Sequence, residues 1–403
     1  MKPTRRACAI LLGLLSFAWT AARPCTIVTM ARDGKVLIGN NEDWTDPRTK
    51  IWVVPASKGE YGRLLFGFEN RFIQGGINEH GLFYDANALD PVDWKQASGK
   101  PLFQDTFDKQ TGDYILAHCA TVAEVIKFFQ DYSVWLGGGK FVFADARGES
   151  ITVEWAQGSD RVTKREGHYQ ISTNISQWNI VPGKVTDDRY NIAEKVILGR
   201  GDVSLETMRA VLVATHKEWA FPTMYSYICD LKSLDVHVYN FHNFDEDVVL
   251  NVRAELAKGA RAYDLPALFS VKTFAEIQHQ KNAPKLGVAE VQQKLAEGGV
   301  DAAAAWYQSV KDGHRDIPNY MVEEGILQQL AKDLLSQNKA QEALDVYRFT
   351  SRAFPQSADA WELQGDIHLQ LGDKTQAAAC YEKAIQLGSK TSDLADRLKR
   401  LRG

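Results

Sequence analysis

Short runs rich in Val, Ile, Thr, Tyr and Phe, many alternating apolar with polar residues, dominate the first two thirds of the chain. They read CTIVTMA, KVLIG, IWVVP, GLFYDAN, KFVFADA, SITVEWA, HYQIST, MYSYICDL and LDVHVYNF, between Cys25 and about Asn251. Runs of this length and composition predict strands packed on at least one face. Helices are expected between them. One opens at Thr121, which forms an S/T-x-x-E capping box with Glu124 ahead of Val125, Ile126, Phe128 and Phe129. The pattern predicts a layered α+β domain with helices outside a mixed sheet, large enough to bury a core.

After about Pro284 the β-branched runs vanish, Ala, Leu, Gln and Lys take over, and the pattern is helical to the end. Ala343 and Ala377 stand 34 residues apart, as do Tyr347 and Tyr381, which is the tetratricopeptide period. Trp361, Gly365, Ala377, Tyr381 and Ala384 fall where that helix pair wants its ring, close-contact and small residues, and Pro355 closes the first copy. That copy is looser, with Leu327 in the aromatic place and Ala331 in the glycine place. Two repeats are marginal alone, so the helices from about Val288 are expected to complete the stack. The region reads either as a helical appendage packed on the first domain or as a groove for a protein partner.

The chain opens with Lys2, Arg5 and Arg6, an apolar stretch from Ala7 to Trp19, and small residues Thr20, Ala21 and Ala22, the pattern of a secretory signal peptide. No later stretch has the length to span a bilayer. An exported protein, periplasmic or secreted, is expected, divided into a leader (1–24), a first domain (25–284) and a helical domain (285–403). A lipid anchor on Cys25 is disfavoured because Pro24 stands where that signal wants a small residue. Cleavage before Cys25 removes four of the 47 basic residues and none of the 51 acidic ones, leaving a formal charge of −8. Such a balance argues against nucleic acid and anionic membranes as partners.

Cys25, Cys119, Cys229 and Cys380 would remain, too few and too scattered for a disulfide framework and without a CxxC pair to suggest zinc. No metal or cofactor is expected, and Cys229 reads as a small core residue. Cys25 differs, because at a free terminus its α-amino group, of pKa roughly 7.7 to 8.0, lies within reach of its own thiol. One residue then carries both nucleophile and base. Asp43 follows after one strand, a turn at Arg32-Asp33-Gly34 and a returning strand, so a hairpin brings its carboxylate back toward the chain start. Taken alone, Cys25 reads first as a buried strand residue and Asp43 as a loop or cap residue, and it is the company of the two that favours the chemical reading.

CTIVTMARDGKVLIGNNED resembles the opening of the choloylglycine hydrolases, penicillin V acylases and their relatives, linear-amide hydrolases among the N-terminal-nucleophile (Ntn) enzymes, which begin Cys-Thr and reach a G-R-N-x-D motif after one hairpin. GGINEHGLFYDANAL, YQISTNIS, TDDRYNIAEKVI and TMYSYICDLKSLDVHVY resemble further segments of that family in the same order, so the likeness runs over residues 25 to 270. It implies a four-layer αββα sandwich, followed here by an all-α tetratricopeptide-like domain. It also implies roles: Cys25 as nucleophile and base, Asp43 binding its α-amine, Asn174 and Asn87 donating to the oxyanion, and Arg189 organising charge around the sulfur. Tyr84 is the neighbouring candidate in the Asn87 segment, and Asn40 and Tyr84 are expected to face substrate. One departure is Asn40, which stands where the family has arginine and supplies no positive charge to lower a thiol pKa.

The reaction implied is hydrolysis of a linear, non-peptide amide, an N-acylated small amine or amino acid, through a thioester on Cys25. An acyltransferase using the same thioester and a catalytically silent platform for the helical repeats are the rival readings. No G-x-S-x-G elbow is present, and LGGGKF lacks the spacing of a phosphate-binding loop and reads as a turn into a strand. His237 and His242, an odd number apart on an expected strand, would face opposite sides and share no metal.

Overall fold

The computed structural model describes residues 25–69, 71–106, 109–218, 221–282, 288–313, 324–389, 391 and 393–402. The expected leader, with Arg23 and Pro24, and the expected domain boundary at 284/285 lie outside the described residues. In chain order the strands are β1 (Thr26–Arg32), β2 (Lys35–Asp43), β3 (Thr49–Val54), β4 (Arg63–Phe68), β5 (Ile73–Asn78), β6 (Phe83–Ala88), β7 (Gly139–Ala144), β8 (Ser150–Ala156), β9 (Ser159–Lys164), β10 (Tyr169–Ser172), β11 (Thr223–Asp230), β12 (Asp235–Asn240), β13 (Asn243–Asn251) and β14 (Arg261–Asp264). The helices are α1 (Thr111–His118), α2 (Val122–Asp131), α3 (Asp188–Arg200), α4 (Leu205–Thr215), α5 (Val252–Ala257), α6 (Phe274–Asn282), α7 (Val288–Gly313), α8 (Glu324–Ser336), α9 (Ala340–Ala353), α10 (Ala358–Gln370), α11 (Lys374–Gln386) and α12 (Leu394–Arg402).

The strands form two antiparallel sheets, ordered β10-β1-β2-β11-β12-β13 and β14-β3-β4-β5-β6-β7-β8-β9. Their facing sides meet through Ile27, Ile38, Phe66, Ile77, Phe83 and Tyr227. On the outer side of the smaller sheet, Val28, Met30 and Leu37 pack against Ala193 and Ile197 of α3 and Met208, Val211 and Leu212 of α4. Leu65, Tyr84 and Phe143 on the outer side of the larger sheet meet Ile115 and Leu116 of α1 and Val125 and Phe128 of α2. The result is helix, sheet, sheet, helix. Each large apolar side chain removed from water contributes on the order of 1.5–3 kcal/mol, so the three apolar layers together hold the sandwich closed.

The β1–β2 hairpin turns at Asp33 (φ 53°) and Gly34 (φ 78°), the paired left-handed conformations of a two-residue turn that matches strand twist. Its ladder runs from Arg32 opposite Lys35 to Thr26 opposite Asn41. The Thr121 hydroxyl accepts from the Glu124 backbone N–H, and the Glu124 carboxylate accepts from that of Thr121, so the expected capping box opens α2. Strands β4, β5, β9, β13 and β14 are additions to the strands that the pattern predicts. In β5, two glycines lower the strand signal while close packing demands them. A Cβ at Gly75 would lie 2.5 Å from both the Asp85 carboxylate and the Tyr227 hydroxyl, and one at Gly76 would lie 2.6 Å from the Leu64 carbonyl.

From α7 onward, among the described residues, the chain is helical. Leu327, Ala331, Ala343, Tyr347 and Phe349 build one apolar cluster, and Tyr381, Ala384 and Leu394 another. Gly365 holds the close-contact place of its repeat, since a Cβ there would lie 2.5 Å from the Tyr381 ring. Cys119, Cys229 and Cys380 are buried and unbridged. Among the described residues, no helix is long and apolar enough to cross a membrane, and no group of three or more His, Cys, Asp or Glu side chains could hold a metal.

Candidate active site

Cys25 sits one residue before β1, past the end of the β1–β2 ladder, so its main-chain groups need partners from outside the sheet. Side chains supply them. The Cys25 N–H donates to Asn174 Oδ1 at 2.8 Å. Its carbonyl oxygen accepts from Arg189 Nη1 at 2.9 Å and from Asn87 Nδ2 at 3.3 Å. Arg189 Nη2 also donates to Asn174 Oδ1 at 2.9 Å, tying the two clamps together. Three residues that lie 62 to 164 positions away thus converge on the main chain of one cysteine.

Each is placed by local structure. Asn87 is on β6, where Phe83, Asp85 and Asn87 share the face that looks into the sandwich, while Tyr84 looks outward toward Phe143. The Asn87 carbonyl oxygen accepts from Ser172 at 2.6 Å, which orients its amide nitrogen to Cys25. Arg189 is in the first turn of α3, whose N-cap Asp187 accepts from Tyr190 N–H and from Arg189 Nη2. Asn174 directs its carbonyl to Cys25 N, and its amide nitrogen donates to Ala88 O at 2.9 Å. In this arrangement it meets the α-nitrogen rather than a substrate oxygen.

Asp43 ends β2 and is fully buried. One carboxylate oxygen accepts from Thr223, and the other has no hydrogen-bond partner and lies 3.9 Å from Arg189 Nη1. Burial pushes its carboxyl up to about 8, with Thr223, Arg189 and Lys217 pulling the other way. Toward the Cys25 thiol its carboxylate charge raises the pKa, while a hydrogen bond from its backbone N–H lowers it.

The sulfur itself stands at 3.6 Å from Glu42 Oε1. Burial raises the thiol well above its ordinary range, and the negative charges of Glu42, Asp43 and Asp85 add to the rise. A thiol so placed stays protonated at neutral pH and needs a base at the moment of attack. Asp85 is itself pushed up by burial and by Glu42, while its bond from Tyr227 OH lowers it.

These groups open onto a cleft of about 500 Å³ lined by Cys25, Glu42, Asn87 and Tyr84 together with Trp44, Phe68, Phe72, Trp135 and Phe141. Asn40 is not among its lining residues. It lies behind Glu42, donating to Glu42 Oε2 at 3.4 Å.

Glu42, Asp85 and Lys140 are site residues that the sequence reading does not single out. Glu42 was legible from parity: Ile38, Asn40 and Glu42 alternate along one face of β2, the face of Ile27 and Cys25. Asp85 follows from the same rule applied backward from Asn87. Lys140, opposite Asn87 on β7, carries no sequence signal beyond its strand. It is fully buried and donates to Ile175 O at 2.8 Å, fastening the loop that carries Asn174, and burial pushes it down to about 7. His242 lies beyond the end of β12 in a left-handed turn (φ 48°), so the expectation that it shares a strand with His237 is corrected; its ring stacks on His216 instead.

Comparison with known proteins adds the following. Residues 329–390 match the tetratricopeptide repeat family model. No curated protein matches the chain. Among solved structures the chain is similar to penicillin V acylase from Agrobacterium tumefaciens, at 17% identity over 56% of this chain and 84% of that one, TM-score 0.44. It is similar to a mutant of conjugated bile acid hydrolase from Clostridium perfringens, at 15% identity over 62% of this chain and 99% of that one, TM-score 0.49. It is also similar to a Caenorhabditis elegans N-acylethanolamine-hydrolyzing acid amidase ortholog, at 14% identity over 52% of this chain and 93% of that one, TM-score 0.38.

Proposed function

We propose that the chain is an exported hydrolase of linear, non-peptide amides that acts through Cys25 as an N-terminal nucleophile. The observation that carries this reading is the clamp on the cysteine main chain. A strand residue needs only its ladder partners, whereas Cys25 is gripped at nitrogen and carbonyl by Asn174, Arg189 and Asn87, with its sulfur on an aromatic cleft.

After removal of residues 1–24, the α-amine of Cys25 would sit against Asn174 Oδ1, with the Asp43 carboxylate reaching the same cysteine by way of Arg189. The amine takes the thiol proton as sulfur attacks the amide carbonyl, which answers the raised thiol pKa. Asn87, on the cleft wall, stabilises the oxyanion. The tetrahedral adduct collapses as the amine returns the proton to the leaving nitrogen, and the C–N bond breaks to leave a thioester. Water, activated by the same amine, then hydrolyses the thioester and restores the thiol. Arg189 holds the Cys25 carbonyl and Asn174 so that the nitrogen keeps its aim.

The test is intact mass and N-terminal sequencing of the exported protein, followed by brief exposure to an N-acyl amide. A chain beginning at Cys25 that gains the mass of the acyl group on its first residue supports the reading. A chain that keeps residues 23 and 24 and takes up no acyl group overturns it.

A further inference from the structure

We propose that Glu42 is a further catalytic residue: its Oε1 accepts the thiol hydrogen of Cys25 at rest and, once Cys25 is a thioester, holds and orients the water that hydrolyses it. The inference rests on the amide-hydrolase reading and gives a role to a group that the reading leaves unused.

Three observations meet at this side chain. The Cys25 sulfur donates to Glu42 Oε1 at 3.6 Å, within the reach of a sulfur donor, and Glu42 is only 2% exposed. Glu42 also lines the aromatic cleft, as Cys25 does, so it borders the space that an acyl group on that sulfur would enter. Its other oxygen, Oε2, accepts from Asn40 Nδ2 at 3.4 Å, and Asn40 is fully buried two residues earlier on β2. Strand alternation puts the two side chains on one face. Asn40 therefore braces one oxygen of the carboxylate while the other stays aimed at the sulfur.

Acylation changes what Oε1 faces. The hydrogen it accepts belongs to the thiol, and a thioester has none, so a water O–H takes that place. A water oxygen about 2.8 Å from Oε1 can stand about 3–3.5 Å from a carbonyl carbon one bond away from the sulfur, the separation of a near-attack pair. Water brings two hydrogens, and the site supplies an acceptor for each. The Cys25 amine takes one as the water oxygen bonds to the carbonyl carbon. The second stays on that oxygen, donated to Oε1. When the C–S bond breaks, its electron pair goes to sulfur, the amine returns its proton there, and the acid leaves with the second hydrogen. Glu42 neither gains nor loses a proton in this step; it aims the water, and the restored thiol donates to it again.

The experiment loads Cys25 of the trimmed protein with p-nitrophenyl phenylacetate, reading the loading rate from nitrophenol release and the decay of the acyl-enzyme from intact mass. Glu42→Leu fills the volume without an acceptor, and Glu42→Ala leaves the space open. Each should slow the decay by at least about tenfold while loading changes less, as expected when a nucleophile loses its aim. Added formate, a carboxylate small enough for the space, should speed the decay in Glu42→Ala and not in Glu42→Leu. Decay at the parent rate in both variants overturns the proposal. Slowing of loading and decay by one common factor, with formate without effect, also overturns it, since that is the mark of a structural role. In both cases the loading and decay seen with the unaltered protein leave the hydrolase reading standing. An unaltered protein that takes up no acyl group rejects that reading and this proposal with it.

Discussion

The sandwich and the helical repeat region solve the same packing problem with opposite use of polar residues. In α8 to α12, among the described residues, the buried positions are mostly apolar or small, with Tyr347 and Tyr381 filling the space that Gly365 and the alanines leave, and the buried polar ones, such as Gln328, Gln364 and His368, include no Asp, Glu, Lys or Arg. At the edge of the sandwich, by contrast, Glu42, Asp43, Asp85, Asn87 and Lys140 are all almost fully buried around one cysteine. Burying charge is destabilising unless it is paired or put to use. The helical region therefore stores stability, and the sandwich edge gives it up for an arranged site.

Four measurements would sharpen or break that contrast. The largest effect is expected from Cys25→Ala, which should lower turnover by about four to six orders of magnitude, as loss of a nucleophile does, while the thermal midpoint moves by only a few degrees. A variant that retained a tenth of the activity would make the site a platform. Next, Tyr381→Ala removes a fully buried ring and should cost about 3–5 kcal/mol in the repeat region. Hydrogen exchange should rise in α10 to α12 with turnover of a small amide unchanged. Lost turnover would mean that the two regions are energetically one. Third, Asn87→Ala should lower kcat by about 10²–10³ with little change in KM, the signature of a lost oxyanion donor; a KM effect alone would reassign it to ground-state binding.

The smallest is a slope. The folded Asp43 carboxyl lies at about 8 against 3.8 for the unfolded chain, so between those pH values the folded state holds a proton that the unfolded state has lost. Its contribution to stability is full below pH 4 and fades as pH rises toward 8, by at most about 1.4 kcal/mol per pH unit. Asp43→Asn should flatten that part of the pH profile in urea titrations. An unchanged slope would assign the titration to another group.

How far the sequence could be read follows the same division. The Asp33-Gly34 turn, the Thr121 capping box and the 34-residue spacing of Tyr347 and Tyr381 are local rules, and each appears in the structure where the pattern puts it. The convergence of Asn87, Asn174 and Arg189 on Cys25 is set by sheet topology and could be anticipated only by resemblance to a family motif. Strand β5 was hidden because Gly75 answers to the Asp85 side chain on the neighbouring strand and to Tyr227 from the facing sheet, a demand no window of neighbouring residues contains. Lys140 was hidden for a similar reason: its burial is decided by the loop that folds over it.

On the proposed cleavage before Cys25, the 2.8 Å bond from Cys25 N to Asn174 Oδ1 would have a consequence for maturation. A peptide nitrogen has one hydrogen to give and a free amine has more, and the acceptor is satisfied by either. The precursor and the trimmed protein can therefore share one folded form, with cleavage altering a charge and a proton affinity but no scaffold. The chain would then behave as a zymogen that is already assembled, whose activation is measured in bonds cut rather than in structure rearranged.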